Sequence, residues 1–312
     1  MRTSIQHTYI LLVLLLALTP IQATAATNTI VAGQGKLGSI SGDSLDVYEY
    51  TSGGGELATI ALARTGGGRY FEPVFDVVGP DGQLLQSGQT FLRLYPLTNA
   101  GVYQIIARDS DAYDAGTYEI TLIRHPGSNL TDSGETNQIT AGQTVAGSTG
   151  WSDLDVYEFD AISGDSLAIY LRRINGGRYF DPIFEVYAPD GTVIASGNRV
   201  QMDCLEQTGH FQIICRDSDL YDLGSYSLSM RQTPGLSPAG APPDYLQALV
   251  CDNTVIVRWS TNTPGFRLER SDLVSPSSWL PVEPPYHSYS GYYYATNTST
   301  NATGFFRLKK SN

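Results

Sequence analysis

The chain repeats itself. Asp46-Val47-Tyr48-Glu49-Tyr50 returns as Asp155-Val156-Tyr157-Glu158-Phe159, and Gly67-Gly68-Arg69-Tyr70-Phe71-Glu72-Pro73 as Gly176-Gly177-Arg178-Tyr179-Phe180-Asp181-Pro182. Pro80-Asp81-Gly82 returns as Pro189-Asp190-Gly191, and all three pairs share an offset of 109. Arg108-Asp109-Ser110-Asp111 returns as Arg216-Asp217-Ser218-Asp219 at an offset of 108, so one residue is lost ahead of the segment that starts near Gly209. A period of about 100 residues is the size of a domain, so two copies of one fold stand in tandem.

The local pattern is that of strands. Tyr118, Ile120 and Leu122 alternate with Glu119 and Thr121, giving an apolar and a polar face. Val102 to Ala107 and Phe211 to Cys215 are short apolar runs bounded by turn residues, and Pro80-Asp81-Gly82 reads as a hairpin turn. No amphipathic helix pattern follows the N-terminal segment. The expected fold class is all-β: two tandem jelly-roll-like β-sandwich domains, at 26–126 and 139–232, plus a smaller β-sandwich module at 245–312.

The intervening segments differ in kind. His125 to Gln138 is polar and rich in Gly, Ser, Thr and Asn, so it reads as a flexible connector with the linker proper at 127–138, and His125 is expected to lie in it. The stretch 233–244 holds four prolines and reads as a stiffer spacer. Beyond it, Val255 to Ser260, Phe266 to Arg270, Tyr292 to Thr296 and Phe305 to Lys309 read as strands, with Trp259 and Trp279 as core anchors. At the start, Arg2, the apolar run Tyr9 to Leu18 and Ala23-Thr24-Ala25 fit a cleaved signal peptide at 1–25, which predicts a secreted protein, extracellular or periplasmic. No later stretch is apolar enough for a membrane span.

Removing Arg2 from the 19 basic residues leaves 18 against 31 acidic ones, a formal −13. Residues 26–244 carry −15 and residues 245–312 carry +2. So acidic a surface repels phosphate backbones and anionic lipid, which argues against nucleic acid as a partner. Three cysteines are too few for a disulfide framework. Cys204 and Cys215 flank a turn at Gly209 and are the pair expected to lie on neighbouring strands, within reach of each other.

No catalytic constellation stands out. His125, His210 and His287 have no zinc spacing, neither His-Glu-x-x-His nor Gly-x-Ser-x-Gly occurs, and no His is kept in both copies. Gly66-Gly67-Gly68 reads as a hairpin rather than a phosphate loop. Two repeated features carry candidate binding chemistry. Arg64 with Arg69-Tyr70-Phe71, matched by Arg173 with Arg178-Tyr179-Phe180, could grip a peptide or sugar ring through Arg69, Tyr70, Arg178 and Tyr179. The competing reading has the phenylalanines in the core and the arginines paired with acids. Asp109, Asp111 and Asp114, matched by Asp217, Asp219 and Asp222, could offer oxygens to calcium. The competing reading, in which these acids cap turns and pair with Arg108 and Arg216, is the expectation here.

Several of these motifs carry a resemblance. Asp155-Val156-Tyr157-Glu158-Phe159, Asp181-Pro182, Pro189-Asp190-Gly191 and Gly224-Ser225-Tyr226, with their counterparts in the first copy, resemble the bacterial pre-peptidase C-terminal domain over about 30–124 and 139–231. The resemblance implies a jelly-roll-like sandwich appended to exported proteins, some relatives binding calcium or matrix polymers. Where that family often has an Asn-Asp-Asp cluster, this chain has Leu85-Gln86-Ser87-Gly88 and Ile194-Ala195-Ser196-Gly197, so no role of those acids carries over. Phe266-Arg267-Leu268-Glu269-Arg270-Ser271-Asp272-Leu273, with Trp279 and Phe305-Phe306-Arg307-Leu308, resembles small fibronectin-type-III-like modules. The expected role is a non-catalytic accessory protein for an extracellular polymer or protein. A hydrolase with an inter-domain site and a purely structural spacer are the alternatives. Oligomeric state is not readable.

Overall fold

The computed structural model describes residues 27–130, 136–235, 246–251, 254–262, 264–273, 279–283, 286–289, 291–298 and 304–310. The expected leader lies outside the described residues, as do most of the Pro-rich spacer and part of the 127–138 linker. The described residues form strands and turns, with no helix among them.

The first copy contains β1 (Thr27–Thr29), β2 (Gln34–Ser41), β3 (Asp46–Ser52), β4 (Glu56–Gly67), β5 (Pro73–Val78), β6 (Leu84–Gln89), β7 (Phe91–Leu97), β8 (Gly101–Asp109) and β9 (Ala115–His125). They form two facing sheets, β1-β3-β8-β5-β6 and β2-β9-β4-β7. Strict alternation does the sorting: Tyr103, Ile105 and Ala107 of β8 point inward, towards Ile60, Leu62, Ile120 and Leu122 of the facing sheet. The second copy repeats the plan with β10 (Thr144–Thr149), β11 (Asp155–Ala161), β12 (Ser166–Gly176), β13 (Pro182–Tyr187), β14 (Val193–Gly197), β15 (Arg199–Met202), β16 (Gly209–Asp217) and β17 (Gly224–Thr233). Its sheets are β11-β16-β13-β14 and β10-β17-β12-β15. Each core also holds a duplicated polar relay. The Tyr48 and Tyr118 hydroxyls lie 2.8 Å apart, Tyr118 donates to Asp46, and Tyr157, Tyr226 and Asp155 repeat the arrangement.

Pro80-Asp81-Gly82 and its duplicate close the β5–β6 and β13–β14 hairpins, with Gly82 and Gly191 at φ +78° and +83°. The glycines at 66–68 do not close a hairpin. β4 belongs to one sheet and β5 to the other, so the chain crosses between layers there.

The two sandwiches pack directly on each other. The outer face of β2-β9-β4-β7 packs on the outer face of β11-β16-β13-β14, where Ala61 and Ile123 meet Leu154, Val156, Tyr187 and Ile214. Ala61 and Ala63 put only a methyl group between the sheets, and both are fully buried. Four sheets therefore stack face to face. His125 is a correction to the sequence reading. It ends β9 and is buried in this contact, stacked on Tyr187 at 4.4 Å, with Nδ1 2.6 Å from Gln212 Oε1. Gln212 also donates to the Gly127 carbonyl, Arg93 pairs with Glu185 at 3.3 Å, and the Arg216 guanidinium covers the Phe91 ring.

The C-terminal strands are β18 (Gln247–Cys251), β19 (Thr254–Ser260), β20 (Phe266–Ser271), β21 (Leu280–Pro281), β22 (His287–Tyr289), β23 (Tyr292–Thr298) and β24 (Phe305–Lys310). They pair as β18-β19-β23-β22 and β21-β20-β24. Trp259 is buried among Tyr286, Tyr293 and Leu268, whereas Trp279 lies under the Arg307 guanidinium. The expected Cys204–Cys215 proximity is overturned. Cys204 is bonded to Cys251, Cα atoms 5.7 Å apart, and Cys215 lies outside any disulfide, buried in the second core. The reason is topological: Cys204 follows β15, in one sheet, while Cys215 points inward from β16, in the other. The bridge ties the small module to the second sandwich, and Cys251, Ile256, Tyr292 and Tyr294 pack there with Ile162.

Two outcomes follow. Burial pushes the His125 imidazole down to about 4 from 6.5, against the opposing pull of Gln212 and Glu185. The unfolded chain then takes up the proton first, so the stability carried by the neutral ring is intact above about pH 6.5 and is lost as pH falls towards 4. Between those limits the loss is roughly 3 kcal/mol. In His125→Phe, which keeps the stack and cannot be charged, chemical denaturation over that range is expected to show a correspondingly shallower fall. For the disulfide, sequence separation 47, loop-closure entropy gives about 4 kcal/mol. Calorimetry of the Cys204→Ser, Cys251→Ser double variant is expected to show a lowered transition for the C-terminal module and an unmoved one for the sandwich pair.

Candidate functional site

Both repeated motifs lie at one end of each sandwich, and there they meet. Glu72 N donates to Asp109 Oδ1 at 3.1 Å and Ser110 N to the Glu72 carbonyl at 2.9 Å; Asp181 with Asp217 and Ser218 with Asp181 repeat this at 2.9 and 3.0 Å. Segments far apart in sequence thus form a single tip.

The Arg–Tyr loop is built by the crossing from β4 to β5. Phe71 and Phe180 are buried plugs between the sheets. Their rings lie where Gly116 and Gly224 would carry a Cβ, at 2.1 Å from that position, so those glycines make room for the plug. Arg64 donates to the carbonyls of Gly67 and Phe71 at 2.9 and 3.1 Å, and Arg173 to those of Gly176 and Phe180 at 2.8 and 2.7 Å. These arginines bind loop carbonyls rather than acids, a correction to the competing reading, while its placement of the phenylalanines holds. Tyr70 and Tyr179, at 68% and 71% exposure, are left outside. The guanidinium groups of Arg69 and Arg178 lie 5.8 and 5.7 Å from those ring centres, within cation–π range.

The acidic loop is organised by its first residue. Asp109 is buried, and its two oxygens accept from the amides of Glu72, Tyr113 and Asp114. Asp217 accepts from Asp181 and Asp222. The turn this enforces puts Ala112 and Leu220 at φ +64° and +71°. Burial alone would raise the Asp109 carboxyl, but the amides of Asp114, Glu72 and Tyr113 and a bond with Asp111 outweigh it and hold it below the usual carboxylate range. Asp111 is raised, chiefly by that same bond, and Asp217 and Asp219 behave alike. Arg108 and Arg216 do not pair with these acids. They pair with Asp76 and Glu185 on neighbouring strands and donate to the loop carbonyls of Asp109, Ser110, Asp217 and Ser218.

The structure therefore brings Arg69, Tyr70, Asp109, Asp111 and Asp114 to one tip and Arg178, Tyr179, Asp217, Asp219 and Asp222 to the other. The carboxylates of each triad present oxygens within 4.8 Å of one another. That is three of the six to eight oxygens calcium takes, and two of those acids already serve amides. Sequence reasoning missed Tyr113 and Tyr221, exposed between the second and third acids of each loop. The repeated Asp-x-Tyr-Asp of 111–114 and 219–222 was the available signal. The tips differ in one respect: Tyr221 faces Arg64, Thr65, Glu72 and Pro73 of the first sandwich across a cleft of about 670 Å³. No protein-family model and no curated protein matches this chain.

Asp109→Ala is expected to cost about 2 kcal/mol, because its amide partners lose a charged acceptor. Asp111→Asn, at an exposed position, is expected to leave the thermal midpoint within about 2 °C. Millimolar calcium at fixed ionic strength is expected to leave that midpoint unchanged; a calcium-specific rise that Asp111→Asn with Asp219→Asn removes would instead assign the loops a cation.

Proposed function

We propose that this is an exported, non-catalytic binding protein whose tandem sandwiches, of the pre-peptidase C-terminal kind, present their tips to an extracellular polymer or protein. The small C-terminal module is read as fibronectin-type-III-like. One observation carries the reading: both copies expose a tyrosine flanked by an arginine and by carboxylates at the same place, on a loop fixed from within by a buried phenylalanine and a second arginine. Flat aromatic surface with hydrogen-bonding charges around it is what a sugar ring or an extended peptide needs. A loop held this way gives up little entropy on binding. Export rests on the N-terminal apolar run and Ala23-Thr24-Ala25.

Sedimentation with insoluble polysaccharides and with collagen-like peptides tests the reading. Retention by one class is expected to weaken about tenfold in Tyr70→Ala or Tyr179→Ala, the effect of losing roughly 1.4 kcal/mol, and further in the double variant through lost avidity. Turnover of generic esterase, glycosidase or peptidase substrates, abolished by a single Ser or Asp substitution, would replace the reading with a hydrolase.

A further inference from the structure

The duplication exposes a surface that the tips do not use. The contact between the sandwiches is made by the outer face of β11-β16-β13. Its rows are Val156–Ile214–Glu185 and Glu158–Gln212–Tyr187, with Arg216 beyond. All of these except Arg216 are buried. The equivalent face of the first sandwich, on β3-β8-β5, has rows Val47–Ile106–Asp76 and Glu49–Gln104–Val78, with Arg108 beyond. The chemistry matches at every position but one, where Val78 stands for Tyr187. Val47 stands for Val156, Ile106 for Ile214, and the Asp76–Arg108 pair at 2.9 Å for Glu185–Arg216 at 3.7 Å. The Gln104–Glu49 contact at 3.4 Å stands for Gln212–Glu158 at 3.5 Å. Every one of these first-copy positions is partly exposed, and none of the described residues packs a further layer on them.

The opposite faces have not stayed alike. Ala61, Ala63, Phe91 and Ile123, which receive the second sandwich, correspond to Tyr170, Arg172, Arg199 and Arg231, which face solvent. One outer face thus keeps its chemistry in both copies, Val78 for Tyr187 aside, and the other has diverged. Shared strand propensity would hold both faces to the same degree, so it does not account for the difference.

We propose that the outer face of β3-β8-β5 docks a β-sandwich domain of another polypeptide. The chemistry of that partner is set by the contact already present in this chain. Its exposed sheet has alanine at the centre so that backbones can approach, an aromatic ring placed to receive Arg108 as Phe91 receives Arg216, and a cation placed for Asp76 as Arg93 is for Glu185. A second copy of this chain is the wrong occupant. Its free face puts Arg199 where Phe91 stands, so in the same register it would set one guanidinium against Arg108.

The full chain can be made to supply the missing partner face. Tyr170→Ala, Arg172→Ala, Arg199→Phe and Arg231→Ile together rebuild the alanine-centred sheet on the second sandwich, at four exposed positions. Sedimentation velocity is expected to find the wild type monomeric. The grafted chain is expected to form head-to-tail oligomers that grow with concentration, and Ile106→Glu added to the graft is expected to return it to monomer. A graft with wild-type thermal unfolding that stays monomeric at roughly 100 µM, well above an ordinary micromolar dissociation constant, overturns the proposal. Wild-type oligomers dissolved by Ile106→Glu overturn the choice of a foreign partner. Should the fourfold graft fail to fold, Tyr170→Ala with Arg199→Phe, which removes the bulky ring and the guanidinium that would meet Arg108, is read by the same criteria.

Discussion

The arrangement of the two sandwiches depends on one sheet-on-sheet contact. A β-sandwich buries the inner faces of its two sheets and leaves the outer faces to water. Here an outer face of each copy is also buried, because Ala61 and Ala63 of β4 let β11, β16 and β13 come close. β4 and β11 are accordingly buried on both faces along most of their length, as strands inside a multilayer stack are. The Glu185 carboxylate caught in the contact is matched rather than expelled, receiving Arg93, Arg216 and the Tyr187 hydroxyl, and the neutral amide of Gln212 bridges His125 and the Gly127 carbonyl. A group so placed is costly to leave unpaired, so these pairings fix the register of one sandwich on the other more than they add stability.

The tips are fixed by the same economy of satisfied polar groups. Asp109 and Asp217 look like ligands in sequence and act as acceptors for main-chain amides in the fold. Arg64 and Arg173 look like surface cations and act as donors to main-chain carbonyls. Both devices finish hydrogen bonding that a loop between two sheets cannot finish with a strand partner. What the loop leaves turned outward is Tyr70, Tyr179 and the guanidinium groups beside them.

How much of this was legible depends on whether a feature is local. The duplication, the strand periodicity of Tyr118–Leu122, the Pro-Asp-Gly hairpins and the core roles of Phe71, Phe180 and Trp259 are all written within a few residues of themselves. The features missed are relations between distant residues. Glu158 sits at a polar position of an alternating strand and reads as solvent-facing; its burial shows only when a neighbouring sandwich covers it. His125 reads as the start of a linker because Pro126 and Gly127 follow it, and nothing local reveals Tyr187 beneath its ring. Cys204 and Cys215 are neighbours in sequence, but the chain changes sheets between them, which sends one outward to Cys251 and the other into the core. The meeting of Glu72 with Asp109 is likewise a product of the crossing from β4 to β5, which the glycines at 66–68 announce only as a turn.

The C-terminal module solves a different problem. It is short, so its apolar core is small, and two other means supplement it. One is the bridge to Cys204, which makes the second sandwich part of its support. The other inverts the polarity of the rest of the protein. Glu269 is buried on β20 and accepts from Arg267 at 2.8 Å and Arg307 at 2.7 Å, with Lys309 at 3.8 Å. Burial would raise that carboxyl, but the Arg307 and Arg267 bonds and the nearby Lys309 charge hold it below its ordinary range. Arg307 in turn covers Trp279, so a single acid organises β20, β24 and the indole that shields them. This is why a net-positive module at the end of an acidic chain can fold as it does: its excess cations are spent around one buried acid, and the apolar burial that a larger domain would rely on is replaced by charge pairing that is complete only when β24 is in place.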